Sequence, residues 1–193
     1  MILSTITAYL PYVLITTFTP GPNNLISFYA VSSCGWKKAS SVLLGIGSAI
    51  LMIMVIPALF CHQLSEHLPA VLPYFKYFGA AYILWLAIQI GKSSPDDSTF
   101  NVVTFWKGFV LVFINIKMLL YAVTVFTGYI MHYSTDLSVL LLHALLLTFL
   151  CVLSNITWGA AGRMLQKVMA KHYHIFNIIM AMILIYCAIT LVI

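Results

Sequence analysis

The chain has 193 residues, of which 63% are hydrophobic and only 7% charged, with a mean hydropathy of +1.06. A soluble domain carries about a quarter of its residues as charges, so this composition excludes one and fixes an integral membrane protein. Nine Lys/Arg against four Asp/Glu leave a formal charge of +5, an excess suited to loops beside anionic lipid and not to nucleic acid, which needs a clustered basic face.

Hydrophobic stretches of the roughly 20 residues that cross a bilayer fall at 5–31, 39–60, 73–90, 105–130, 137–161 and 175–193. They predict an all-α membrane protein of six transmembrane helices in one domain spanning 1–193. The N-terminal apolar run lacks a basic segment before it, so a cleaved leader is not expected. Cys34, Cys61, Cys151 and Cys187 are scattered, with no CxxC pair, and predict neither a disulfide framework nor a redox pair nor a metal site. No cofactor is implied.

The first span contains Thr19-Pro20-Gly21-Pro22-Asn23-Asn24. Two prolines and a glycine in four residues cannot continue a regular helix. Broken backbone at membrane depth is tolerated only where protein buries it or it lines a watery cavity, so a polar visitor is expected here. Asn23 and Asn24 fall on the first turn of the second half-helix. There they either cap it or reach into the cavity, beside free N–H groups and partial positive charge suited to a carboxylate.

In the fourth span Asn115-Ile116-Lys117 interrupts a run of apolar residues. A lysine at mid-membrane costs about 2.5–3.5 kcal/mol, which makes it a functional candidate by default. No Asp or Glu lies in any span, so the partner of Lys117 is either a substrate carboxylate or the carbonyls freed by the first break. The first partner points to an amino acid or similar anion. Asn115 and the fifth-span Asn155 are either interhelical hydrogen-bonders, worth about 0.6–2 kcal/mol each, or substrate contacts. His143, the one histidine well inside a span, is either a proton carrier or a satisfied hydrogen-bonder; Lys117 is the other candidate for proton coupling. Gly45, Gly47, Gly79 and the run 159–162 read as close helix packing. Trp36, Trp106 and Trp158, with Tyr74, Tyr77, Tyr129 and Tyr133, read as an aromatic belt at the span ends, and Trp85 and Trp158 are also placed to wall a pocket.

Lys37 and Lys38, Lys92 and Lys107, and Arg163, Lys167 and Lys171 fall in connections on one side. Only Lys76, with Glu66 and Asp136, falls on the other. By the positive-inside rule the basic side is cytoplasmic and both termini are periplasmic. Three spans per half require the halves, 1–91 and 105–193, to be inverted relative to each other, a recurring plan for carriers with broken helices at the midplane. The longest connection, 91–104, divides them. A homodimer is left open, since no pattern singles out an interface. No GxxxxGK[ST] loop is present, so ATP hydrolysis is excluded.

With TPGPNN in the first span, GAAYILWLA in the third and the fourth-span pattern from Gly108 to Lys117, the chain resembles the lysine-exporter (LysE/RhtB) family of amino-acid efflux carriers over essentially its whole length. Members usually have Asn-Pro-Lys where this chain has Asn115-Ile116-Lys117, so the second break is expected to be milder than the first. That departure, with FINIKMLLYAVT, SNITWGAAG and IYCAI, is similar to the cysteine/O-acetylserine-exporting branch. The resemblance implies a non-enzymatic secondary carrier of the bacterial inner membrane, exporting cysteine and O-acetylserine. Another neutral or basic amino acid (homoserine, threonine or lysine type) is the alternative. A thiol or electron conduit would need paired cysteines in spans one and four, which are missing. A metal exporter would need intramembrane carboxylates or thiolates, and the cysteines are dispersed.

Overall fold

The computed structural model describes residues 2–92, 104–132, 134–165, 167 and 171–192, and every regular element among them is a helix. In chain order these are α1 (Ile2–Phe18), α2 (Pro22–Lys92), α3 (Phe105–Ile114), α4 (Ile116–Gly128), a 3₁₀ turn (Ile130–His132), α5 (Leu137–Met164) and α6 (Tyr173–Val192). Most of the expected central connection, Tyr133, and the side chains of Cys61, Glu66, Tyr74, Lys76 and His132 lie outside the described residues, as does the surrounding of Gly79.

At 71 residues and 1.5 Å per residue, α2 would be roughly 106 Å long if straight, several times the hydrocarbon thickness of about 30 Å. It is instead divided at Gly35 (φ 73°, ψ 169°) and Phe60 (φ −124°, ψ 27°) into arms 22–34, 36–59 and 61–92. A positive φ suits glycine because no Cβ meets the backbone. The contacts with α5 show what Gly35 does. Asn24 and Phe28 in the first arm meet Ser154 and Gly162, so that arm runs alongside α5 in the same direction. Trp36 and Gly47 in the second arm meet Gly159 and Val152, so the second arm returns. The first two arms therefore run antiparallel, folded back on each other at Gly35. Lys37 and Lys38, expected in a loop, instead open the second arm as helix, and the backbone stays helical through 61–72 as well.

Pro22–Phe60, which contains this fold-back, and Leu137–Met164 are long and apolar enough to cross a membrane, each with mean hydropathy 2.5. α3 and α4, bent by 59° to each other, are long and apolar enough only as a pair. The shorter apolar helices Tyr9–Phe18, Ile83–Lys92 and His174–Ile189 lie within the first, third and sixth expected spans.

Span four is thus fully broken although no proline interrupts it, and Asn115 makes the break. Its backbone is extended (φ −78°, ψ 96°), its N–H closes α3 on Val112, and its side chain accepts the Lys117 N–H to open α4. One residue therefore caps both half-helices.

Apolar side chains do not drive helices together in lipid, so close backbone approach must supply the packing. Glycine permits it at three points on two crossings. A Cβ at Gly45 would overlap the Phe105 carbonyl, one at Gly108 the Val42 carbonyl, and one at Gly162 the Phe28 carbonyl. The first two are reciprocal and lock the second arm of α2 against α3, while the third locks the first arm against α5. Gly47 meets only ordinary contact, Val152 at 3.4 Å. The core behind these crossings holds Ile46, Ile50, Met54, Leu111 and Leu147, all essentially inaccessible.

Candidate functional site

The first break leaves the last carbonyls of α1 without helical partners, since Pro20 and Pro22 have no N–H to give. Side chains from three other elements take their place. Asn24 Nδ2 donates to the Thr17 and Thr19 carbonyls, both at 3.0 Å. Ser154 Oγ donates to the Thr17 carbonyl at 2.9 Å, and Trp158 Nε1 to the Phe18 carbonyl at 3.1 Å. Lys117 Nζ reaches the Thr19 carbonyl at 3.3 Å. Of the two partners open to Lys117 from sequence, the freed carbonyl is therefore present.

The two breaks meet directly. Asn115 Nδ2 donates to Asn23 Oδ1 at 3.1 Å, although 92 residues separate them. Asn155 joins from α5: its Nδ2 donates to the Cys151 carbonyl at 2.7 Å, and its Oδ1 accepts from Ser27 at 2.8 Å. Gly21 leaves the space that Lys117 occupies, since a Cβ there would lie 3.3 Å from Nζ.

Asn23, Asn24, Asn115, Lys117 and Asn155 all line one cavity, together with Gly21, Thr16, Thr17, Ile50, Met118, Tyr121 and Cys151. The cavity measures about 30 Å³, room for about two water molecules and too little for an amino acid. Thr19, Pro20 and Pro22 shape the break without lining the space. His143 is not in the cavity: it sits on α5 with Nδ1 donating to the Val139 carbonyl at 2.8 Å, a helix back-bond.

Asn23 carries the most telling atom. The residue is 5% exposed, its Oδ1 is taken by Asn115, and its Nδ2 is the one buried side-chain polar atom among the described residues with no partner. A buried donor left open costs about 1–3 kcal/mol, so its persistence asks for a ligand. The site thus offers an ammonium, an open amide donor and the N-terminal ends of α2 and α4 to an anion. The hydroxyls of Thr17 and Tyr121, joined at 3.3 Å, and the amide oxygens offer acceptors to a cation on the same molecule.

Sequence reasoning missed Thr17, Ser27, Tyr121 and Ser154, and placed Trp158 first in the interfacial belt. Trp158 is instead half-buried against Phe28 and holds the break. Trp85, also placed by the sequence to wall a pocket, does not line this cavity; its ring carries Lys107 Nζ at 4.9 Å.

A helical membrane bundle in which two interrupted helices meet at a polar, cation-bearing cavity is the plan of a secondary carrier. The chain belongs to the LysE type translocator family, whose model matches residues 14–193. It is 32% identical over 186 residues to the cysteine/O-acetylserine efflux proteins of Escherichia coli O139:H28 (strain E24377A / ETEC), Escherichia coli (strain K12) and Shigella sonnei (strain Ss046), covering 95% of this chain and 95% of each relative. No solved structure gives a significant match.

Proposed function

We propose that the chain exports a small zwitterionic amino acid, of the cysteine and O-acetylserine kind named for its relatives, from the cytoplasm across the bacterial inner membrane. The observation that carries this reading is the pairing of Lys117 with the open Asn23 amide in a cavity to which no span contributes an acid. The substrate carboxylate binds Lys117 and Asn23 near the N-terminal end of α2. Its ammonium group faces Thr17, Tyr121 and the Asn155 amide oxygen. Asn24 braces the first break, and Asn115 joins it to the second through Asn23. The side chain, small and uncharged, faces Ile50, Met118 and Cys151. Because the cavity is narrower than such a molecule, binding widens it, as alternating access requires.

Purified carrier in proteoliposomes is expected to exchange labelled O-acetylserine or cysteine for the unlabelled compound inside, and to ignore glutamate, whose second carboxylate has no cation to meet. Exchange of glutamate at the same rate, or of neither neutral substrate, overturns the reading. Repeating the assay with a pH gradient separates proton coupling through Lys117 or His143 from downhill export.

The halves 1–91 and 105–193 are read as inverted repeats, a reading supported by the two breaks that join through Asn23 and Asn115. Both termini are read as periplasmic. The basic Arg163 lies 4.0 Å from the position of a Cβ on Gly35, beside Lys37 and Lys38, at the opposite end of α5 from Asp136. An alkaline-phosphatase fusion after Ile193 is expected to be active and a cytoplasmic reporter there silent; the reverse pattern would invert the topology.

A further inference from the structure

The route from the cavity toward the Asp136 end of the bundle is filled by aromatic rings. Tyr121 lines the cavity and is 2% exposed. Tyr12 stacks on it with centroids 6.2 Å apart and planes 27° apart, and Tyr129 stacks on Tyr12 at 5.5 Å and 26°. Tyr9 lies on Tyr129 at 5.6 Å, and His143 meets the edge of Tyr9 at 6.5 Å. The column climbs two turns of α4, about 12 Å, from Tyr121 to the cap residue Tyr129.

Two leaves contribute to it. Tyr121 and Tyr129 belong to α4 and its cap, and Tyr9 and Tyr12 to α1. Along its described side chains α1 turns Leu10, Leu14 and Ile15 outward, 53%, 40% and 67% exposed, and rests on α4 and α5. Its C-terminal end is tied by the hydrogen bonds of Asn24, Ser154, Trp158 and Lys117 to three carbonyls, next to the Pro20-Gly21 break, with Val13 packed on the core. A half-helix that ends beside a residue free in φ can tilt as a unit about that residue.

We propose that Tyr9, Tyr12, Tyr121 and Tyr129 form the outer gate of the cavity, and that α1 is the leaf that swings to open it. Offset aromatic pairs attract one another beyond their burial, enough to keep the gate shut and little enough to let it part. The hydroxyl-bearing rings leave a passage that suits a zwitterion better than bare phenyl faces. This inference rests on the carrier reading above, and its test is independent of the substrate.

Cys151 lines the cavity beneath the column and serves as the probe. In a protein carrying Cys34→Ser, Cys61→Ser and Cys187→Ser, a membrane-impermeant methanethiosulfonate reagent is applied from the Asp136 side. Tyr12→Ala and Tyr129→Ala are each expected to raise the labelling rate of Cys151 at least tenfold, with Tyr12→Phe unchanged because the stack survives. No rise in either alanine variant overturns the gate. So does an equal rise when the reagent comes from the basic side, which would mean general loosening. If O-acetylserine exchange fails while labelling responds as stated, the substrate assignment falls and the gate stands.

Discussion

Lys117→Met is expected to insert and accumulate normally yet lose export of cysteine or O-acetylserine by about 10–100-fold. The estimate takes a hydrogen bond to a charged group as worth about 1.5–3 kcal/mol, at about 1.4 kcal/mol per tenfold. Methionine keeps the length of the side chain and removes a cation that is costly in hydrocarbon, so loss of export is not loss of insertion. It also frees the Thr19 carbonyl, which Asn24 continues to satisfy at 3.0 Å. Lys117→Arg is expected to recover export only in part, because a planar fork fits neither the space beside Gly21 nor the single carbonyl. Efflux of labelled substrate from cells, measured against membrane protein level, checks both. Full export by a well-inserted Lys117→Met protein would remove the lysine from the site.

The largest effect on stability is expected at Gly45. Alanine there drives a methyl into the Phe105 carbonyl, which belongs to backbone and cannot rotate away. The second arm of α2 and α3 must separate, and the reciprocal contact of Gly108 with Val42 opens with them. Overpacking of this kind costs about 1–3 kcal/mol and at times more. Gly47→Ala, two residues on and in ordinary contact with Val152 at 3.4 Å, is the control and is expected to be neutral or slightly stabilising through helix propensity. Thermal unfolding of the two variants in detergent, followed by size-exclusion chromatography, checks the difference. Equal midpoints would show that the α2–α3 crossing does not limit stability.

What could be read from the chain was whatever violated the rules of a hydrophobic helix. Thr19–Pro22 and Lys117 stand out because proline, glycine and an ammonium are anomalous at membrane depth, and the structure brings the break and the lysine to one cavity with four asparagines. Thr17, Ser27 and Ser154 do not stand out, because a hydroxyl in a membrane helix ordinarily bonds its own preceding turn. Their bonds to Tyr121, Asn155 and the Thr17 carbonyl cross between 104 and 137 residues of sequence. The same holds for Trp158, whose place near a span end looks interfacial until α1 is seen to end beside it. The second break was legible from Asn115 but its means was not: with Ile116 where a proline was looked for, a capping amide carries a bend of 59°. The turn between the first two spans was legible, since their expected limits leave 32–38 as a connection and the chain folds at Gly35; what was not legible is that helix runs up to that one glycine from both sides.

The carbonyl that holds Lys117 is neutral, and the chain's four acids, Glu66, Asp96, Asp97 and Asp136, all fall outside the hydrophobic spans. The positive charge at the break is therefore uncompensated by any carboxylate of the spans, and this has an electrical consequence. A zwitterion adds no net charge, so the empty and loaded forms carry the same valence at the same depth. A membrane voltage is worth about 2.3 kcal/mol per elementary charge per 100 mV, but it acts on the outward and return steps alike and cancels around the cycle. Turnover with a zwitterion alone is electrically silent, and current would accompany flux only if a proton left or joined the lysine between the two crossings.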